Sequence, residues 1–345
     1  MHGSIRKMNQ KPTRADVARL AGVAESTVSR SLSDSPLITE SVKERVRAAA
    51  SSLEYIPSRQ ASLFARMQTF TIGLVIPTYS SFPPFSRAYF PALLDGVVLG
   101  ADRHGYSITI VLDKVETSFG DYHTLIKSRT YDGLIFAISR ADFGPFLKLK
   151  QDGIPFILVN NYHDELNSVD ALPLAGMRQA FSHAYNLGHR RFGYIGGDVR
   201  YRNAVDRLAA FKLLSEEFGV ETSMTGGDFS RTSGYQGAAD ILSAPNPPSV
   251  IMTSSDRAAQ GVLNCCAEKN IRVPQDISVI GYDNLHPAND LKPTLSTVDN
   301  PVTRAGFEAV EQLIGILRGE KEAPVHCWLD TGFVVRESTG PVPHS

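Results

Sequence analysis

Eleven lysines and arginines stand against six aspartates and glutamates in the first 68 of 345 residues, net +5, while the remainder carries 24 against 30, net −6. A chain that is formally −1 at pH 7 therefore hides a basic head. The chemistry open to such a head is neutralisation of a phosphate backbone, with binding that falls steeply as salt is added. Groups that could break bonds are not arranged to do so. The sequence has no P-loop, no GxSxG elbow, no HExxH and no CxxC, and its nine histidines form no metal or catalytic cluster. Cys265, Cys266 and Cys327 are too few and wrongly spaced for a zinc site or a disulfide framework, and the adjacent pair reads as small apolar residues inside a helix. Neither enzyme activity nor a cofactor or metal is expected.

The basic residues need elements to present them. Thr13 with Asp16 three residues on is a capping-box-like helix start, after which Val17, Leu20 and Ala21 share one face. Gly22 supplies a tight turn, and Glu25 to Leu32 resumes helical spacing with Val28 and Leu32 inward, a helix-turn-helix. A third stretch, Thr39 to Leu53, turns Val42, Val46, Ala49, Ala50 and Leu53 inward and Lys43, Arg45 and Arg47 outward. Pro57 ends that helix, and Ser58 can cap a further short one over RQASLFAR, residues 59–66. Two isolated turns are marginal in water, so this segment needs a partner surface. A second copy of the chain and a DNA minor groove would provide one, with Leu63 and Phe64 as wedges between base steps; a plain linker is the other reading.

From Thr71 the period changes. TIGLVIP, YSITIVL, DGLIFAI and IPFILVN are short apolar strands separated by helical stretches, and RRFGYIGG, PSVIMTS and QDISVIGYD repeat the rhythm. That pattern argues for parallel sheets covered on both faces, in two α/β subdomains across a cleft. Ligands in such folds sit at the carboxyl ends of the strands. The chain is expected to cross between subdomains near Val169 to Ala171 and near Val298 to Pro301, with a helix from Pro301 to Arg318 returning to the first and strands around Val325 to Val335 finishing the second.

The run DVARLAGVAESTVSRSL, followed by ITESVKERVRAAASSLEYIPSRQA and TIGLVIP, resembles the head, hinge and first strand of the lactose/galactose repressor (LacI/GalR) family, and the likeness continues through GHRRFGYIGG, DRLAAF, PQDISVIGYDN and RESTG. The resemblance implies an α/β fold: a three-helix helix-turn-helix head plus hinge helix, then two doubly wound parallel-sheet subdomains like those of type I periplasmic binding proteins. It implies DNA contacts from Thr13, Glu25, Ser26, Thr27, Ser29 and Arg30 in the head and from Ser58, Arg59, Leu63 and Phe64 in the hinge. Arg30 could reach guanine O6/N7, and Glu25 either accepts from a cytosine amine or is exposed and reads nothing. Ala24 departs from the family by leaving the recognition helix without its usual Ser cap, and Phe64 stands where well-known members carry Leu. For the cleft, the resemblance implies stacking by Tyr89 and Phe90, an Arg207 fork, an Asp283 acceptor, a Phe229 floor, and polar contacts from Asn203 and Asp170. Asp256 is assigned to capping the helix after it, and His189 to a cationic role at a helix C-terminus.

The expected divisions are a disordered tail over 1–12, a head over 13–56, a hinge over 57–68, an effector domain over 69–340 and a tail over 341–345. Its subdomains are expected over about 69–169 with 301–324 and over about 170–297 with 328–340. The expected function is a DNA-binding transcriptional repressor controlled by a small molecule. Aromatic stacking with an Arg and an Asp suits a sugar or sugar derivative, and equally a nucleobase or small acid. A solute-binding protein without DNA function would need an export signal and no basic head, the reverse of this sequence. Without a membrane-length apolar run or a leucine-heptad tail, the expectation is a cytoplasmic homodimer on a pseudo-palindromic operator.

Overall fold

The computed structural model describes residues 12–55, 68–77, 83–113, 122–127, 130–137, 142–286 and 288–342. The expected hinge contacts Ser58, Arg59, Leu63 and Phe64 lie outside these residues, as do the expected tail up to 11 and the last three residues. The chain divides into two units, Met1–Thr69 and Phe70–Ser345.

In the first unit, α1 (Arg14–Ala21) opens on the expected capping box: Thr13 accepts from Asp16 N while the Asp16 carboxylate accepts from Thr13 N. Gly22 closes it at φ 62°, where a Cβ would be strained. Helices α2 (Glu25–Leu32) and α3 (Glu40–Ser52) complete a core of Val17, Ala18, Ala21, Val28, Val46, Ala49 and Ala50. Two expectations fail here. Leu20 is 57% exposed, because Ala18 takes the inward place beside Val17 and Ala21. Lys43 is buried, its ammonium 2.8 Å from Asp34 and 3.4 Å from Glu40, since the loop after α2 carries Asp34 back over α3.

The described residues of the second unit form two six-stranded sheets. The first comprises β1 (Thr71–Pro77), β2 (Ser107–Asp113), β3 (Gly133–Ala137), β4 (Phe156–Val159), β5 (Ser168–Leu172) and β11 (His326–Asp330), in the order β11-β5-β4-β3-β1-β2. The second comprises β6 (Arg191–Ile195), β7 (Glu221–Thr225), β8 (Val250–Thr253), β9 (Ser278–Asp283), β10 (Ser296–Asp299) and β12 (Gly332–Val334), in the order β12-β10-β9-β8-β6-β7. Among the described residues all pairings are parallel except β10 with β12. Apolar strands such as β3 and β8, buried along their whole length, require cover on both faces. On the first sheet, α4 (Tyr89–His104) and α11 (Val302–Leu317) cover one face, and α5 (Tyr122–Lys127) with α6 (Gly144–Gln151) the other. On the second, α7 (Pro173–Asn186) and α8 (Arg202–Phe218) face α9 (Arg231–Leu242) and α10 (Asp256–Glu268).

The subdomain boundaries differ from expectation. Asp170 lies within β5, which belongs to the first sheet, and the expected terminal strands divide: Trp328 pairs with Asp170 in the first sheet, whereas Phe333 pairs with Val298 in the second. The chain thus passes between sheets after Leu172, after Asp299 and at Thr331. The effector domain also extends past the expected end at 340, because Val342 N–H donates to Leu187 O.

Candidate effector site and DNA-reading helix

The loops at the carboxyl ends of β6, β8 and β9 and the start of α4 surround a cavity of about 600 Å³. Tyr89, Phe90, Asn203, Arg207, Phe229 and Asp283 all line it. Arg207 sits on α8 and is only 5% exposed. Its guanidinium lies 3.7 Å from the Tyr282 ring centroid, donates to Asp283 Oδ1 at 3.3 Å and reaches the Ser254 carbonyl. Burial opposes its charge, but Asp283 and the nearby phenols outweigh that and raise its pKa. Asp283 also accepts from Asn300 Nδ2 at 3.0 Å, and burial dominates to raise its pKa despite these donors.

Two of these side chains stand on strained backbone. Phe229 has φ 64° and Asp283 φ 119°, conformations that cost an L residue on the order of 1–3 kcal/mol and persist where the surroundings hold them. Phe229 is held by a close approach, since a Cβ on Gly197 would lie 2.2 Å from its ring. The Tyr89 hydroxyl accepts from Asn160 Nδ2 at 2.7 Å, and its ring meets Phe90 edge-on at 5.5 Å. Phe90 is mostly core, 4% exposed. Asn203 Oδ1 is buried with no hydrogen-bond partner among the described residues, an unmet acceptor in the cavity wall.

Asp170 is elsewhere. It lines a second cavity of about 540 Å³ with Tyr162, Trp328 and Arg202, which Asn203 and Arg207 also border. Burial raises its pKa to about 6, and its Oδ2 has no hydrogen-bond partner among the described residues. Asp256, in contrast, belongs to the main cavity. Ser255 caps α10, accepting from Ala258 N, whereas Asp256 accepts from Leu285 N at 3.0 Å and Thr297 Oγ1 at 2.5 Å. Burial and the neighbouring Asp283 hold its pKa well above the ordinary carboxylate range. Sequence reasoning also missed Arg231 and Arg257 in this cavity, although both follow an N-cap serine at the start of a helix that opens on it. His189 is corrected too: it is buried between Ser249 Oγ at 2.8 Å, Ser278 Oγ and Gly340 O, and burial lowers its pKa, so it serves as a neutral hydrogen-bonding hub.

On the head, Glu25, Ser26 and Arg30 lie on the exposed face of α2, Thr13 is exposed beside α1, and Thr27 and Ser29 are half-buried. Ala24 makes no side-chain cap. Glu25 instead pairs with Arg14 at 2.9 Å, tying α2 to α1 and placing a carboxylate at an uncapped helix N-terminus. Arg19 pairs with Asp16, and Arg47 with Asp34 and Glu40, so the basic surplus is partly neutralised within the head. Arg30 and Arg45 have no ion-pair partner among the described residues.

Residues 13–58 match a family model described as bacterial regulatory proteins, lacI family, and residues 181–339 match the periplasmic binding protein-like domain. The HTH-type transcriptional repressor CytR of Escherichia coli K12 is 27% identical over 347 residues, covering 98% of this chain and 99% of that repressor. The HTH-type transcriptional regulator CelR of Thermobifida fusca is 27% identical over 337 residues, 95% of this chain and 98% of its own. Among solved structures, a transcriptional regulator CelR–cellobiose complex aligns with TM-score 0.72 at 26% identity, over 95% of this chain and 99% of that one. A Lac repressor bound to ONPG in the repressed state aligns with TM-score 0.83 at 25% identity, over 96% and 100%.

Proposed function

Since this chain belongs to the lacI family of bacterial regulatory proteins, we propose that it is a repressor whose hold on a pseudo-palindromic operator is set by a sugar or sugar derivative in the cleft. It is a DNA-binding transcriptional regulator with a periplasmic binding protein-like effector domain, not an enzyme. The observation that carries the ligand reading is the convergence of Arg207, Asp283 and the unpartnered Asn203 Oδ1 beside Tyr89 and Phe229 in one cavity. Such a set pairs ring hydroxyls with buried polar groups and apolar ring faces with aromatic ones, so a ligand lacking a matching hydroxyl leaves a site group unpaired. The solved CelR complex of similar fold holds cellobiose, in keeping with that class.

Assembly as a homodimer is supported by apolar side chains left in water. Leu99 of α4 is 61% exposed, and Ile110 and Leu112 of the edge strand β2 are 40% and 56% exposed. An open edge with apolar residues is a surface that proteins cover with a partner. Two heads held one DNA turn apart then fit a two-fold operator, read by Ser26 and Arg30 of α2 with Thr13, Glu25, Thr27 and Ser29 beside them. Closing the cleft moves one subdomain against the other about three crossing segments, and the effector's differential affinity for the two arrangements sets operator occupancy. The test is a sugar panel scored together for thermal stability and operator binding. A compound that raises Tm and changes operator affinity supports this reading; binding of nucleobases but of no sugar overturns its ligand class.

A further inference from the structure

Helices α9 and α10 pack backbone to backbone. A Cβ on Gly234 would stand 2.0 Å from Ala258 O, and one on Gly261 2.1 Å from Arg231 O, so only glycine permits this approach. Its consequence is electrostatic. Arg231, first residue of α9, and Arg257, second of α10, are held near each other on the cavity wall.

Neither has an ion-pair partner among the described residues. Arg257 Nε is buried with no hydrogen-bond partner among the described residues, an unmet donor in a residue that lines the cavity. Burial and the charge of Arg231 both lower the pKa of Arg257, with Asp228 acting the other way. The cavity as a whole repeats the imbalance. Five arginines line it, 87, 200, 207, 231 and 257, against four aspartates, 198, 228, 256 and 283. Arg200 is matched by Asp198 and Arg207 by Asp283, while Asp228 is engaged by Ser230 N and Ser233.

We propose that the effector carries an anionic group, a phosphate or a carboxylate, received by Arg231 and Arg257 while Asp283 and Asn203 hold its hydroxyls. This rests on the cleft reading above and narrows it to acidic sugars. Two guanidinium forks around one oxyanion give charge-assisted hydrogen bonds to both, meet the idle Arg257 Nε and relieve the repulsion between the pair.

The full-length chain is titrated with potassium phosphate, and separately with malonate, against potassium chloride of equal ionic strength, with Tm as the readout. A saturable rise in Tm is expected with at least one of the oxyanions and not with chloride. It should vanish in the Arg231→Gln/Arg257→Gln variant, whose Tm without added anion stays within a few degrees of the parent; Arg257→Lys should retain part of it. In a second arm, neutral hexoses and disaccharides are compared with their 6-phosphates and uronates. The acidic member should bind at least tenfold more tightly, with the advantage lost in the double variant, while Asp283→Asn weakens both members. Absence of a saturable oxyanion effect, or neutral sugars binding as tightly as acidic ones, overturns the anion proposal and leaves the sugar cleft standing. Saturable oxyanion binding with no sugar bound overturns the sugar reading and leaves the anion site standing.

Discussion

Arg207 Nη2 and Asp283 Oδ1 lie 3.3 Å apart, brought from α8 and the end of β9 across 76 residues of sequence and roofed by the Tyr282 ring. A buried pair of this kind is weak evidence for stability, because removing both charges from water offsets their attraction. Removal of one partner is different. Asp283→Ala leaves a buried guanidinium and is expected to destabilise the effector domain by about 3–5 kcal/mol in chemical denaturation. Arg207→Met with Asp283→Asn should recover most of that loss without recovering any effector response. Recovery of the response with the fold would remove the pair from the ligand site.

Gly197 fixes the floor of the cavity. In Gly197→Ala the new methyl meets the Phe229 ring at 2.2 Å, so the ring must leave its place. Effector affinity should fall at least tenfold, an energy of about 1.4 kcal/mol. Operator affinity measured without effector should be unchanged. Unchanged effector affinity by calorimetry would show that Phe229 is packing only.

Asp170 makes stability pH-dependent. Its pKa is raised to about 6 by burial, so folding favours the protonated form. The stabilisation is present below the ordinary value near 3.8 and is lost as pH rises through about 6. Asp170→Asn, which cannot ionise, should therefore gain on the parent by about 2–3 kcal/mol at pH 7.5 and by little at pH 4. An equal difference between the two at both pH values would contradict the buried, neutral carboxyl.

Ala24 has the extended backbone of an N-cap, φ −70° and ψ 152°, but no oxygen to use there. Ala24→Ser should stabilise the head by about 1 kcal/mol, followed as a higher Tm of its unfolding transition. No gain would mean that the Glu25 carboxylate already satisfies that helix end.

What was legible in the sequence was local. The Thr13–Asp16 box spans three residues, and β1 is the apolar run TIGLVIP itself, so each could be read in one window. Lys43 was misread because its burial depends on Asp34 nine residues away, and the sign of His189 because Ser249, Ser278 and Gly340 close on it from three other places. The strands near the C-terminus were assigned to one sheet because nothing in HCWLDTGFV states that a single residue, Thr331, separates pairing with β5 from pairing with β10. At the cleft, Arg207 and Asp283 were found through short motifs. Asp256 was misassigned because a cap and a cavity-lining acid both follow a strand in the same Ser-Ser-Asp run, and only the fold shows Ser255 taking the cap.

The central claim is that the head binds specific DNA and that the cleft changes how tightly. The direct measurement is the dissociation constant of the full chain for selected pseudo-palindromic duplexes, including ones with a central CG step, and for random DNA, over a salt series with and without a cleft ligand. The expected result is tighter binding to one duplex, a steep loss with salt, and a shift of at least fivefold on adding the ligand, equivalent to about 1 kcal/mol of coupling. Equal affinity for every duplex at moderate salt, or an operator affinity unmoved by a ligand that demonstrably fills the cleft, would contradict it.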